Sequence, residues 1–101
     1  MATMTSTSDS AQRVQTIRLI DEIGADLSGR TLGDTVRATV DPSVSEVVFD
    51  CEGLGSMSPS FADEVFGKLA QESQRPAIRI VNATPDILAL IRFAVQERSA
   101  S

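Results

Sequence analysis

The chain of 101 residues has no histidine, tryptophan or tyrosine, and its one cysteine is Cys51. A lone thiol cannot close an internal disulfide, and without a Cys/His cluster there is no zinc site of the structural kind. Cys51 also lacks a histidine or other nearby base to activate it, so it reads as a small apolar residue and not as a nucleophile. The apolar runs are too short to cross a bilayer. The N-terminus lacks the basic and apolar segments of a signal sequence, so a soluble, cytoplasmic protein with no membrane partner is expected. A net charge of −5 leaves no basic face, which argues against nucleic-acid binding. The phosphate-cradling patterns GxGxxG and GxxxxGK[ST] are absent as well. With 42% hydrophobic and 23% charged residues, the chain has material for one small domain.

Residues Met1 to Gln12 are mostly Thr, Ser, Ala and Asp without periodicity and are expected to form a disordered tail ahead of a domain spanning 13–98. Val14 to Ile23 is rich in β-branched residues, with Ile17 and Leu19 on one face and Thr16 and Arg18 on the other, as in a half-buried edge strand. Thr31 looks like an N-cap with Asp34 three residues on, and Leu32, Val36 and Val40 recur at helical spacing until Asp41-Pro42. Val44 to Asp50 is apolar on both faces, Val47 and Phe49 against Val48, which predicts a central parallel strand covered on both sides.

The next segment carries the most information. Ser58 suits an N-cap and Pro59 the first helical position, where its missing N–H costs nothing. Asp63 and Glu64 follow in the early turns, favoured by the helix dipole. Two apolar rows, Phe61-Val65-Leu69 and Ala62-Phe66-Ala70, predict a helix to about Ser73 with Ser60, Asp63, Glu64, Gly67 and Lys68 facing outward. Ala77 to Val81 reads as a strand, and Thr84-Pro85-Asp86 opens a last helix that buries Ile87, Leu90, Ile91 and Ala94. The order is βαβαβα, a small α/β domain of two or three layers with a mostly parallel sheet and right-handed crossovers.

The segment Val48-Phe-Asp-Cys-Glu-Gly-Leu-Gly-Ser-Met-Ser-Pro-Ser-Phe-Ala-Asp-Glu-Val-Phe-Gly-Lys-Leu69 resembles a STAS-like bacterial family of unknown function. That family's mark is a strand ending in Asp before a Ser-x-Ser-Phe-Ala-Asp-Glu-like helix start. Ser28-Gly-Arg-Thr-Leu-Gly-Asp-Thr-Val-Arg37 resembles its Arg-bearing first helix, and the likeness extends from about Arg13 to Glu97. The family is in turn similar to the STAS domains of anti-sigma factor antagonists. There a serine kinase phosphorylates the first serine of an Asp-Ser-Ser-Gly motif at the same strand-to-helix junction. Superposing the strand-end aspartates puts Ser58 on the motif's Asp, Pro59 on the phosphoacceptor, Ser60 on the second serine and Phe61 on the glycine. Proline cannot accept phosphate, so the fold and the binding edge transfer better than the switch.

Several residues are candidates for a partner- or anion-binding site: Arg30, Asp50, Ser58, Ser60, Asp63, Glu64, Gly67 and Asn82. Ser58 is explained by capping, worth about 1 kcal/mol. Ser60 is either a possible phosphoacceptor at a helix start that tolerates charge or a solvated serine. Asp50 is expected to accept from the loop N–H groups of Gly53 to Ser56. Arg30 sits just before a helix, against the dipole, which points to a partner such as Asp50 or a bound anion, or else to a plain surface arginine. Gly67 costs nearly 1 kcal/mol inside a helix and would permit close approach of a partner or a neighbouring element. Asn82 is placed at the same edge as Ser58. No catalytic constellation, metal site or cofactor is expected. The leading expectation is a noncatalytic interaction module docking a protein through the 53–68 loop and helix. By resemblance, its partner is a histidine-kinase-like ATPase or a serine kinase of bacterial signalling. The alternative is an anion or nucleotide binder using the helix N-terminus at Ser58-Ser60, with an enzyme a distant third.

Overall fold

A computed structural model of the chain describes residues 13–23, 26–27, 29–72 and 76–99, so the expected tail over 1–12 lies outside the described residues. Three strands form a parallel sheet in the order β1-β3-β5, namely β1 Val14–Arg18, β3 Glu46–Asp50 and β5 Ala77–Val81. A second pair, β2 Asp26–Leu27 and β4 Ser56–Met57, is also parallel and lies within what reads in sequence as loop. The helices are α1 Leu19–Ile23, α2 Arg30–Ala38, a long composite α3 and α4 Pro85–Ser99. The α3 segment joins α-helical Pro59–Ala62, a π-helical turn Asp63–Gly67 and α-helical Lys68–Gln71. The expected α/β alternation with β3 at the centre of a parallel sheet is what the molecule has.

One face of the sheet carries the core. Val47 and Phe49 are fully buried, and the Phe49 ring meets Phe66 of α3 edge-on with centroids 4.9 Å apart. Phe61, Ala62, Val65 and Leu69 of α3, Val36 of α2, and Ile87, Ile91 and Ala94 of α4 complete that layer. The opposite face bears Thr16, Val48 and Arg79 in register, with Thr16 and Arg79 exposed and Val48 half-buried. The reading of β3 as covered on both sides is therefore corrected: among the described residues the domain has two layers. Val48 alone cannot make an apolar face when its cross-strand neighbours are Thr and Arg.

Two helix boundaries differ from expectation. The first strand stops at Arg18, and Leu19 opens α1. Leu19 is buried either way, and Asp21 and Glu22 fit the first turn of a helix. Helix α2 begins at Arg30, with Gly29 and not Thr31 in the capping position. Gly29 has φ +87°, a left-handed conformation open to glycine, and its N–H is taken by the Ser58 hydroxyl. Asp34 does not close a capping box; it pairs with Arg37 at 2.7 Å.

Helix α3 lies between α2 and α4 and contacts both. Glu64, Val65, Phe66 and Gly67 are consecutive and all buried, more than one face of an isolated α-helix could bury. The π-helical turn, in which the Lys68 N–H reaches the Asp63 carbonyl, widens the helix there and lets it present residues to the sheet and to both neighbours. Gly33 of α2 and Gly67 of α3 set the spacing. A Cβ on Gly33 would stand 2.7 Å from the Glu64 Cβ, and one on Gly67 would stand 2.9 Å from the Arg98 Cγ. Both distances are below van der Waals contact, so each glycine is required by the approach of its neighbour.

Phe61 and Leu69 lie at the two ends of the buried row of α3. Phe61→Ala and Leu69→Ala are each expected to lower unfolding free energy by about 2–5 kcal/mol. Urea unfolding of the full chain measures this, and a shift near zero at either site would displace the core from α3.

Candidate functional site

The sequence candidates fall into two groups. Asp50, at the end of β3, accepts from the Glu52 N–H and from Asn82 Nδ2, each at 3.0 Å. Asn82 adopts φ +59° just after β5, a conformation Asn tolerates better than most residues. The Asn82 contact is the largest cause of Asp50 titrating below its ordinary range, followed by the Glu52 N–H. The expected bonds from the Gly53–Ser56 N–H groups are thus replaced by an Asx turn to Glu52 and a clasp across the ends of two strands. Asp50 and Asn82 share this clasp, and neither bonds to Ser58 or Arg30.

The second group surrounds the start of α3. The Ser58 hydroxyl accepts from the Phe61 N–H at 3.1 Å, as an N-cap should, and also from the Gly29 N–H at 3.2 Å. One oxygen therefore ties the starts of α2 and α3 together. Arg30 donates to Asp63 at 2.8 Å and reaches Glu64 at 3.4 Å. The partner anticipated for this arginine exists, but it is the acid pair of α3 and not Asp50.

Asp63 and Glu64 are adjacent in sequence and hold different neighbours. Asp63 takes two 2.7 Å bonds from Arg98, through Nε and Nη2, a bidentate pairing that closes α4 onto α3. Those bonds are the main reason its carboxyl titrates well below the usual range, with the Arg30 bond adding and burial opposing. Glu64 is only 5% exposed and is ringed by Lys68 at 2.8 Å and by Arg30 and Arg37 at 3.4 Å each. It too is held low, first by Lys68. The expectation that Glu64 and Gly67 face outward is corrected: both are buried, Glu64 against Gly33 and Gly67 under Arg98. Of the uses foreseen for Gly67, approach by a neighbouring element is the one realised.

What remains accessible at the helix start is Pro59, which is exposed, and Ser60, which is half-buried. Both line an open cavity of about 260 Å³ whose other walls include Arg30, Asp63, Phe93 and Glu97. Phe93 is 60% exposed, whereas the other three phenylalanines are fully buried. The sequence reading missed Phe93 and Arg98. Phe93 could have been found because it falls off the Ile87-Ile91-Ala94 core row of α4. No local signal marks Arg98, whose partner is 35 residues away.

Asp63 and Glu64 are already paired with cations within the fold, and the Ser60 hydroxyl makes no hydrogen bond with the described residues. Cys51 is 2% exposed, and burial, helped by the Asp50 charge, pushes its thiol up to about 11. The described residues contain no cluster of three or more metal-ligating side chains. No helix among them is long and apolar enough to cross a membrane.

Two measurements follow from the acid pair. Glu64→Ala should destabilise the domain by about 1–3 kcal/mol, since it strips three cations of a hydrogen-bond acceptor and leaves space beside Gly33. Chemical unfolding at neutral pH checks this. Asp63 is depressed in the folded state, so its contribution is complete above the unfolded carboxylate value of about 4 and is lost as pH falls from there. The urea midpoint should therefore drop from about pH 5 to about pH 3, and Asp63→Asn should start lower at pH 5 and lose less over that interval. An equally steep loss in the variant would remove Asp63 from the acid response.

The model of one family, described as the STAS-like domain of unknown function (DUF4325), matches residues 29–88. The matched span includes both Gly29 and Ser58, the Arg30–Asp63–Glu64 cluster and the Asp50–Asn82 clasp. Neither a curated protein nor a solved structure matches the chain. With more than half its length inside that match and an α/β fold of the corresponding kind, the chain belongs to the STAS-like family of domains of unknown function.

Proposed function

We propose that this domain is a noncatalytic docking module of cytoplasmic bacterial signalling. It binds a protein partner through the surface formed by the start of α3 and the adjoining flank of α4. The observation that carries this is Phe93: an aromatic ring 60% exposed beside Pro59 and the unengaged Ser60 hydroxyl. Aromatic side chains, phenylalanine among them, are enriched at the cores of protein interfaces. Resemblance to anti-sigma factor antagonists supports a histidine-kinase-like ATPase or a serine kinase as the partner, because those domains are switched at the same strand-to-helix junction. Glu64 and Gly67 drop out of the docking face, Pro59 and Ser60 stay in it, and Phe93 and Glu97 join them.

The anion or nucleotide reading is less well supported. Ser58 spends its hydroxyl on two backbone N–H groups, and Asp63 and Glu97 put carboxylates in the cavity wall. Phosphorylation, where it occurs, would fall on Ser60, since Pro59 occupies the position equivalent to the phosphoacceptor. A phosphate there would add about −1.5 to −2 charges beside two carboxylates and block the patch.

The test uses affinity capture from the source cells with the full chain and two variants. Wild type should retain an ATPase or kinase, and Phe93→Ser and Ser60→Asp should each reduce its recovery by about tenfold, with thermal midpoints nearly unchanged. Equal recovery by Phe93→Ser would remove the docking surface from α4. Micromolar nucleotide binding by the isolated chain in calorimetry would instead favour the anion reading.

A further inference from the structure

A second surface lies on the opposite flank of α4, along the outer edge of β5. A groove of about 730 Å³ runs there, with Phe66 and Ile91 in its floor and half-buried Ile78, Ile80, Leu88 and Val95 in its walls. Ile78 and Ile80 sit on the helix-covered face of the sheet, whereas Arg79 sits on the other face, yet all three line the groove. The groove therefore follows the strand's edge and not one face of it.

The hydrogen-bond parity of β5 exposes backbone at the same place. The Ala77 N–H bonds to the Ser45 carbonyl and the Val81 carbonyl accepts from the Cys51 N–H, so the odd-numbered residues of β5 face β3. The N–H and C=O groups of Ile78 and Ile80 consequently point outward, into the groove. Among the described residues β5 has no strand on that side. A free, apolar edge of this kind is a template for an added strand.

Charge identifies what would add. Every other described cation, namely Arg13, Arg18, Arg30, Arg37, Lys68 and Arg98, has a carboxylate within 4.0 Å. Arg79 and Arg92 have none among the described residues, and both line this groove. No carboxylate does. On a chain with net charge −5, the two described cations without an ion-pair partner among the described residues flank the β5 edge, from opposite faces of the sheet.

We propose that the β5 edge is a second interaction site, which takes an extended acidic peptide segment of a protein partner as an added β-strand. Main-chain bonds to Ile78 and Ile80 hold the segment. Apolar side chains at alternate positions enter the groove between β5 and α4, and intervening acids meet Arg79. An acid at the end of the groove meets Arg92. This site is independent of the Phe93 surface and goes beyond it.

The probe is the pentapeptide acetyl-Ile-Asp-Ile-Asp-Glu-amide, titrated into the isotopically labelled full chain and followed by amide shifts and hydrogen exchange. The control peptide replaces its three acids with lysine. The acidic peptide is expected to bind with a Kd of about 1 mM or tighter and to protect the Ile78 and Ile80 amides. The lysine peptide should bind at least about tenfold more weakly. The double variant Arg79→Glu, Arg92→Glu should reverse that preference, and Arg79→Ala and Arg92→Ala should each weaken the acidic peptide. The protection of Ile78 and Ile80 is read on the wild-type chain, so it stands whether or not the double variant folds. The proposal is overturned by no binding at about 1 mM, by equal binding of both peptides, or by shifts confined to the α3 start. It is likewise overturned if the peptide-free chain dimerises through β5, because the occupant is then a second copy.

Discussion

The close seating of α3 between α2 and α4 is the constraint on which the rest of this domain depends. Two glycines make it possible and two adjacent acids hold it. Without a Cβ at Gly33 or Gly67, the helix backbones come near enough for short side chains to bridge them. Asp63 then reaches Arg98 on one neighbour while Glu64 is ringed by Arg30 and Arg37 of the other. Asp63 and Glu64 open the π-helical turn, and successive residues of a helix point to different sides of it, so this adjacent pair can serve two flanking elements at once. The motif that looks in sequence like a display of acids is thus the clamp of the helical layer. Burying such charges is costly unless they are fully paired, and here each carboxylate has more than one cation.

Ser58 extends the same logic to the loop ends. Its hydroxyl caps α3 and also holds the N–H of Gly29, the residue that lets the chain turn into α2. Arg30, the next residue, is thereby delivered to Asp63 and Glu64. A cation at a helix start opposes the dipole by a few tenths of a kcal/mol to about 1 kcal/mol, and pairing with two acids offsets that. The oddly placed arginine and the well-placed serine are parts of one junction.

How far this was legible in the sequence depends on the range of the interaction. The period-two and helical patterns at Ile17, Val47, Phe49, Phe61 and Ile87 located every long element, because those patterns report which side meets the core. The Ser58-Pro59 start and the Thr84 cap were readable because capping acts over three residues. The orientation of Glu64 and Gly67 was not readable. A helical wheel sorts polar from apolar, and it cannot show that a polar side chain is met by cations from another helix. Arg98 to Asp63 and Arg30 to Glu64 span 35 and 34 positions, so nothing in the local chain announces them. Asp50 was expected to accept from the loop N–H groups of Gly53 to Ser56, whereas its side-chain partner Asn82 lies across a strand crossover, 32 residues on.

What the clamp leaves over defines the surface available for function. Once Asp63, Glu64 and Gly67 are committed to holding helices, Pro59 and Ser60 are what the start of α3 leaves accessible, and the exposed aromatic ring beside them, Phe93, belongs to α4. That helix borders a cavity on each flank. Its core row of Ile87, Ile91 and Ala94 faces the sheet layer, Phe93 borders the α3 start, and Arg92 borders the β5 edge. Because Arg98 of the same helix is latched to Asp63, the position of α4 is tied to the charge state of the junction. A charge introduced at Ser60 would stand in the same cavity as Asp63 and compete with it for Arg30. The physical route from the α3 motif to the exposed surface is therefore short: it runs through one carboxylate, Asp63, which accepts hydrogen bonds from both Arg30 and Arg98.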